Sequence, residues 1–196
     1  MTASISSSNQ SRFDQRYTLL NKDDYRNKYL RQSLRIPNYD YTQPGAYFIT
    51  IATAYKQEIF GILKENGVIL NKFGDIAFSC WIEISNHFPH TKIDEFIIMP
   101  NHIHVIIWIT GNQNSRDTAC CVSTVKNIEK FGKPVKRSIP TIIKSYKSAV
   151  TKLIHQRDPA LKVWQPNYYE QIIRNNNDLE KTREYIRYNA FKRYEI

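Results

Sequence analysis

The stretch IIMPNHIHVIIWI, residues 97–109, places two histidines inside the most apolar run of the chain. Successive side chains of a strand point to opposite faces, so alternate residues of this stretch lie together. One set is apolar and β-branched, and helices can cover it: Ile103, Val105, Ile107 and Ile109. His102 and His104 share the other face, two residues apart. Because an imidazole is costly to bury without a polar partner, a metal ion or a polar cleft is expected to use both rings.

Two interpretations of the histidine pair stay open on the pattern alone. The first is a metal site, which needs at least a third ligand, and the cysteines show no CxxC spacing that would form a zinc cluster. His87 and His90 lie outside the two strands, so the pattern does not name that ligand. Imidazole nitrogen with amide or carboxylate oxygen suits a divalent cation such as Mg²⁺ or Mn²⁺. The second interpretation is a pair of half-exposed histidines on a solvated face of a sheet.

The surrounding sequence predicts an α+β domain with a central antiparallel sheet and helices packed on it. The predicted strands cover residues 46–54, 92–99, 102–109 and about 163–173, with a short hairpin at Asn66-Gly67. Pro100 and Asn101 are expected to form a break or bulge between the middle two strands. The predicted helices cover residues 72–88, about 140–155 and about 178–192, the last with Asp178 as its N-cap. Helices do not alternate strictly with single strands, which disfavours a parallel sheet.

The second predicted helix has an apolar stripe that should face the core. Its members recur at spacings of three and four: Ile142, Ile143, Tyr146, Ala149, Val150 and Leu153.

Length and polarity predict one domain with a tail. The 196 residues are enough for one domain with a sizeable core. Residues 1–35 are polar and predict an N-terminal tail, which leaves residues 36–196 for the domain. Residues 110–137 have no clear period and predict a long flexible loop within it.

The charge is concentrated in the last third of the chain. The net charge is +10, and residues 126–196 hold 16 basic and 7 acidic residues. A one-sided basic field favours a polyanionic partner, usually nucleic acid, although a solvated surface is the alternative. The sequence contains no apolar run of about 18 residues and no secretory signal, so no membrane association is expected. An odd count of three cysteines, Cys80, Cys120 and Cys121, fits the reducing cytoplasm.

The C-terminal helix supplies further polar candidates. Leu179, Ile186 and Ala190 can form a buried stripe. Tyr185 and Asn189 are four residues apart and therefore lie on one side of the helix, beside that stripe. Both could reach a point at the sheet face. In the alternative, Tyr185 packs at a core edge and Asn189 caps the helix.

Three segments together resemble a known family. They are LRIPNYDYTQPGAYFITI, then FIIMPNHIHVII, then VWQPNYYEQIIRNNNDLEKTREYIRYN. The MPNHIH run is similar to the His-hydrophobic-His motif of the single-tyrosine HUH transposases, in particular the REP-associated tyrosine transposases and related insertion-sequence transposases. The resemblance spans about residues 31–193, and the combination of MPNHIH with WQ, YYE and a late YIxxN helix is its most specific part.

The resemblance implies a fold, a site and a reaction. The fold would be a compact α+β domain with a central antiparallel sheet, like an RRM or ferredoxin-like domain. His102, His104 and Asn189 would bind the divalent metal, and Tyr185 would attack a phosphodiester of single-stranded DNA to form a 5′-phosphotyrosine link. The partner would be single-stranded DNA with a hairpin, and the protein would act as a monomer or homodimer. The family usually has Asn-Pro where this chain has Asn189-Ala190, which leaves room for a domesticated copy.

Basic and aromatic residues near the predicted site are candidates to hold the DNA strand. The cations expected to contact phosphates are Lys144, Lys147, Lys152, Arg174, Arg183 and Arg187. Tyr168 and Tyr169 are expected to stack on unpaired bases. Trp164 could do the same, but core packing is its favoured interpretation.

Two other functions remain as alternatives to an active transposase. One is a domesticated, non-catalytic protein that binds a DNA or RNA hairpin. The other is a metal-dependent RNA-binding or nuclease module that uses the same sheet without covalent chemistry.

Overall fold

The computed structural model describes residues 36, 39–65, 67–111 and 135–189. The chain divides into two units, Met1–Ser33 and Leu34–Ile196, and all the described residues belong to the second. The predicted tail at 1–35 and most of the predicted loop at 110–137 lie outside the described residues.

The described residues form six strands and four helices. The strands are β1 (Gly45–Ala52), β2 (Gly61–Lys64), β3 (Gly67–Leu70), β4 (Thr91–Met99), β5 (His102–Ile109) and β6 (Tyr169–Ile173). The helices are α1 (Lys72–Ile82), α2 (Ile84–His87), α3 (Ile139–His155) and α4 (Asn176–Tyr188), with a 3₁₀ turn at Ala54–Lys56. Every predicted strand and helix is confirmed, although the first predicted helix is divided at Glu83 and the last strand begins at Tyr169.

Four strands form one antiparallel sheet in the order β4-β5-β1-β6. When the separate β2–β3 hairpin, the short helix α2 and the last helix α4 are left out, the chain runs strand, helix, two strands, helix, strand. This is the βαββαβ arrangement of ferredoxin-like and RRM domains. The predicted α+β fold with a central antiparallel sheet is therefore confirmed.

One face of this sheet lines the main hydrophobic core. Helices α1 and α3 pack on it, and the set predicted for this face is at most 4% exposed: Ile103, Val105, Ile107 and Ile109. Most of the α3 stripe is also confirmed. Ala149 and Leu153 are the exceptions, because they are exposed and Ile154 is buried instead. Val150 and Ile154 are one turn apart, so they face the sheet together.

Helix α4 packs on the opposite face of the sheet. Its buried residues Leu179 and Ile186 join a second, smaller cluster with Phe48, Ile106 and Ile173. The predicted stripe is confirmed for those two residues, while Ala190 lies outside the described part of the chain. Since α1 and α3 cover one face, α4 makes the sheet the middle layer of three.

One local prediction is confirmed in part and one was wrong. Pro100 and Asn101 form the predicted break between the two strands, as a tight turn with Met99 opposite His102, whereas the bulge lies within β4, between Ile93 and Phe96. Asp178 was predicted as the N-cap of the last helix, but α4 begins at Asn176, two residues earlier. The side chain of Asn175 caps it by accepting a hydrogen bond of 2.8 Å from the Asp178 main-chain N–H. The predicted end near residue 192 is outside the described residues.

No helix in the described ranges has the length and apolar character needed to cross a membrane.

Gly74 allows α1 to pack against the chain that enters β2. A Cβ atom at this position would lie 2.1 Å from the Phe60 carbonyl oxygen, which already accepts a hydrogen bond from the Asn71 N–H. A backbone atom held in this way cannot move aside. We therefore expect Gly74→Ala to lower the free energy of unfolding by at least about 2 kcal/mol, measured by urea denaturation.

Gly111→Ala is the matched control. Among the described residues, its added Cβ would meet only the Pro44 Cγ, at an ordinary 3.8 Å. We expect a change within about 0.5 kcal/mol. Equal losses in the two variants would contradict the close approach at Gly74.

Candidate active site

Strand β5 brings the two histidine rings together on the face that α4 covers. His104 lies opposite Thr50 of β1, and His102 lies opposite Ala52. The ring centroids of the two histidines are 4.5 Å apart. His104 is 4% exposed and His102 is partly exposed. The alternative interpretation expected both rings to be half-exposed on a solvated face, and His104 does not fit it.

Each ring is hydrogen-bonded through Nδ1 to a neighbouring side chain. The His104 Nδ1 is 2.8 Å from the Thr50 Oγ1. The His102 Nδ1 donates to the Asn101 Oδ1 over 2.6 Å. The ring of Phe48 stacks on His104 with a centroid distance of 5.4 Å. These contacts offset the cost of burying His104, because Thr50 and Phe48 hold its ring, and Asn101 holds the partly exposed ring of His102.

Burial lowers the pKa of His104 well below its usual value, and the neighbouring His102 lowers it further. Desolvation has this effect because it disfavours the charged imidazolium. His104 is therefore neutral near pH 7. The neutral ring is the form that can bind a metal ion.

Helix α4 delivers Tyr185 to the same place. The Tyr185 hydroxyl is 3.3 Å from the His104 Nε2, and the two ring centroids are 5.2 Å apart. The tyrosine ring also meets Phe48 edge-on at 6.0 Å, at the margin of the second cluster. The phenol thus packs at a core edge, as in the alternative interpretation, and its oxygen also approaches the histidine pair.

Asn189 lies one turn beyond Tyr185, on the same side of the helix. It is the C-terminal cap of α4, and its main-chain N–H bonds to the Ile186 carbonyl. Its side-chain Nδ2 is buried and has no hydrogen-bond partner among the described residues. A half-turn of the carboxamide exchanges Nδ2 and Oδ1, so the same position can present an acceptor oxygen.

In the described ranges, no three His, Cys, Asp or Glu side chains cluster as a metal site would require. A metal bound by His102 and His104 would therefore need a ligand of another type. An amide is a ligand of another type, and the motif resemblance implies that of Asn189.

Two acidic residues at the β4 bulge hold α4 in place, and neither was among the predicted site residues. Asp94 and Glu95 together oppose the single residue Ile106, which turns both side chains towards α4. Arg183 donates from Nε to Asp94 over 2.9 Å and from Nη2 over 2.5 Å. Arg187 donates from Nε to Glu95 over 2.9 Å.

Three of the predicted DNA contacts are engaged within the protein. Arg183 and Arg187 pair with the bulge carboxylates. The Lys147 amine donates to the main-chain oxygens of Gln165 (2.7 Å) and Asn167 (3.0 Å), and burial lowers its pKa to about 8. Lys147 therefore stabilises the segment before β6, a role that the charge pattern did not suggest.

The remaining predicted DNA contacts lie on different sides of the sheet. Lys144 and Lys152 are exposed on α3, on the face opposite the histidines. Arg174 is exposed directly after β6. Tyr169 lies opposite Thr50 and so shares the histidine face, whereas Tyr168 packs against the main core.

Trp164 and Gln171 lie near β6 but on different faces of the sheet. Trp164 is buried in the main core and donates from Nε1 to the Lys147 carbonyl over 3.0 Å, as its favoured interpretation predicted. Gln171 lies opposite Phe48 on the histidine face and is exposed. It was not among the predicted residues, because only the register of an edge strand reveals which face it occupies.

Comparison with known proteins identifies one relative by sequence and one solved structure of similar fold. The chain is 35% identical over 159 residues to an uncharacterised protein of Haemophilus influenzae, covering 81% of this chain and 87% of that protein. A solved REP-associated tyrosine transposase bound to a REP hairpin superposes with a TM-score of 0.53 at 16% identity, covering 84% of this chain and 76% of that one. Likeness at that identity is one of fold. No family model matches the chain.

The Asp94–Arg183 pair should make stability depend on acid pH. Burial alone would raise the pKa of Asp94, but hydrogen bonds from Arg183 and Trp108 outweigh it and lower the pKa to about 2. The folded value lies below the unfolded value of 3.8, so the stabilisation is present above about pH 4 and is lost as pH falls towards 2. Asp94→Asn should cost about 2 kcal/mol at pH 7 in urea denaturation. The difference from the wild type should shrink between pH 4 and 2.

Glu95→Gln is the control for that measurement. Its carboxylate and the Arg187 guanidinium are 32% and 51% exposed, so water and salt screen their attraction. We expect a much smaller loss at pH 7. A loss as large as that of Asp94→Asn would show that the less exposed Asp94–Arg183 pair contributes no more to stability than the Glu95–Arg187 pair.

Proposed function

Since this chain belongs to one protein family with the Haemophilus influenzae protein and has the fold of a REP-associated tyrosine transposase, we propose that it is itself a transposase. It would be a metal-dependent nuclease and strand transferase acting on single-stranded DNA through a 5′-phosphotyrosine intermediate. The observation that carries the proposal is the 3.3 Å approach of the Tyr185 hydroxyl to the buried His104 Nε2. A phenol beside paired imidazoles is the arrangement that the motif resemblance implies.

The proposed metal ligands are His102, His104 and Asn189, and the proposed cation is Mg²⁺ or Mn²⁺. The residues fit such an ion in two respects. The His104 ring is neutral near pH 7, and Asn189 has a buried amide atom without a partner in the described ranges. The chemistry supplied by a bound cation is Lewis-acid neutralisation of charge on the scissile phosphate and on a nearby phenolate.

Tyr185 is the proposed nucleophile. Its oxygen would form a bond to phosphorus while the bond from phosphorus to the 3′ oxygen breaks, and the phenolic proton is balanced by the proton that the 3′ oxygen gains. A free tyrosine has a pKa of about 10, so a cationic neighbour is needed to favour the reactive phenolate. The phosphotyrosine link retains the phosphodiester energy. A 3′-hydroxyl can therefore reverse the step and join new ends without ATP.

The proposed partner is single-stranded DNA carrying a hairpin. The support is the net charge of +10, concentrated after residue 125, together with the hairpin bound by the structural relative. Tyr169 on the histidine face is the proposed stacking residue beside the site. Lys144, Lys152 and Arg174 are exposed and would contact phosphates of a strand that extends beyond the sheet.

The covalent step can be tested with labelled DNA. We expect a protein–DNA adduct on a denaturing gel after incubation with Mn²⁺ and a pool of single-stranded oligonucleotides, each with a hairpin and randomised flanks. Tyr185→Phe should abolish the adduct, because it removes the attacking oxygen. Tyr188→Phe is the matched control, since Tyr188 is 58% exposed on the same helix and its loss should leave the adduct intact.

Other outcomes of this assay favour the alternatives. Binding of the oligonucleotides without any adduct would favour a domesticated hairpin-binding protein. Cleavage that persists in Tyr185→Phe would remove the proposed nucleophile and favour a nuclease without covalent chemistry.

The histidines can be tested separately from DNA binding. We expect His102→Ala combined with His104→Ala to abolish cleavage, because the proposed cation loses two ligands. Affinity for the oligonucleotides in a gel-shift assay should stay within a few-fold, since phosphate contacts dominate it. Unchanged cleavage in the double variant would end the metal hypothesis.

A further inference from the structure

The Nδ1 atom of each histidine ring is hydrogen-bonded to a neighbouring side chain. We propose that Thr50 and Asn101 are positioning residues that hold His104 and His102 as Nδ1–H tautomers, so that Nε2 of each ring is the nitrogen offered to the proposed cation. This inference rests on the proposed function. It adds two residues and the ligating atoms to it.

The contact to His102 favours one tautomer. In the structure the Asn101 Oδ1 lies 2.6 Å from the His102 Nδ1, and since a carbonyl oxygen can only accept, this orientation of the amide goes with a proton on Nδ1. A neutral imidazole has one N–H and one lone pair, which places the lone pair on Nε2. A ring held in this way can bind a metal only through Nε2.

Asn101 is itself held in place by the protein. Its main-chain oxygen accepts hydrogen bonds from the Thr53 N–H (3.0 Å) and the Thr53 hydroxyl (2.9 Å). Thr53 is fully buried at the end of β1. The turn that carries Asn101 is therefore anchored to the central strand, which gives its side chain a fixed origin from which to orient His102.

His104 is held at both ends of its ring. The Thr50 Oγ1 is 2.8 Å from Nδ1, and the Tyr185 hydroxyl is 3.3 Å from Nε2. Thr50 lies directly across from His104 on β1, which is paired with β5 and β6 on its two edges and so cannot shift. A hydroxyl can donate or accept. When Nε2 provides a lone pair to a cation or to the phenolic proton, Nδ1 carries the ring proton and the Thr50 Oγ1 accepts a hydrogen bond from it.

The consequence for metal binding follows from general coordination chemistry. A ligating histidine usually donates its other N–H to a protein oxygen, which fixes the tautomer and ring direction, and loss of that oxygen typically costs about 10–100-fold in metal affinity. If Thr50 and Asn101 only satisfied polar atoms in the sheet, their loss would change stability but not the tautomer or the affinity. The two roles therefore have different signatures.

The test uses the full chain labelled with ¹⁵N-histidine. In the metal-free wild type, long-range ¹H–¹⁵N spectra should show His102 and His104 as Nδ1–H tautomers. Thr50→Val has the same shape without the hydroxyl, and should shift His104 away from that tautomer. It should also weaken Mn²⁺ binding by about tenfold or more in calorimetric titration. Thr50→Ser should restore both readouts, and Asn101→Ala should affect His102 in the same way.

Thr151→Val is the matched control. Thr151 lies on α3, on the opposite face of the sheet, and its hydroxyl donates to the Lys147 carbonyl over 2.7 Å. Its loss removes a comparable hydrogen bond and should leave both the tautomers and the Mn²⁺ affinity unchanged.

Nε2–H rings in the wild type, or wild-type Mn²⁺ affinity in both Thr50→Val and Asn101→Ala, would overturn the inference. A wild type that binds Mn²⁺ no better than the double histidine variant would instead overturn the metal site in the proposed function. The tautomer spectra of the metal-free protein would still decide the role of Thr50 and Asn101, so the two failures are distinguishable.

Discussion

The pairing of β5 with β1 is the constraint on which the site depends. The apolar residues of β5 fill the main core, and the alternation of side chains then directs His102 and His104 to the other face. A slip of one residue would exchange the two faces and expose the core set to α4. The hydrophobic core therefore fixes where the imidazoles lie. The same register sets Thr50 against His104.

The phenol reaches this point through contacts that are distant in sequence. Leu179 and Ile186 bury one side of α4 against the sheet, and the carboxylates of the β4 bulge hold the adjoining side through two arginines. In sequence, Tyr185 lies between the two arginines and directly before Ile186. Its position relative to His104 is thus a property of the packed domain, and anything that loosens α4 also moves the proposed nucleophile.

Local patterns were sufficient to predict the elements and the members of the site. Alternation in β5, three- and four-residue spacing in α1 and α3, and the Asn-Gly turn all arise from contacts between near neighbours. The four-residue spacing of Tyr185 and Asn189 has the same origin. The N-cap of α4 was misjudged because three consecutive asparagines, 175–177, precede Asp178 and compete for the capping position.

Contacts between distant residues could not be predicted in this way. Nothing in the sequence around Asp94 indicates that the strand bulges there or that Asp94 pairs with Arg183, which lies 89 residues later. The charge of Lys147 suggested a phosphate contact, but a long flexible side chain can turn inward to main-chain carbonyls, as it does here. Thr50 and Asn101 emerge as histidine partners only when strand register and turn geometry are known.

The bulge also determines where β4 can tolerate insertion or deletion. Ile93 and Phe96 face the main core on either side of it, so one residue could be lost between them without reversing any core side chain. A length change elsewhere in the strand would exchange the two faces over part of its course. At this point, a change in chain length alters the ion pairs that hold the helix carrying Tyr185, while the core side chains keep their positions.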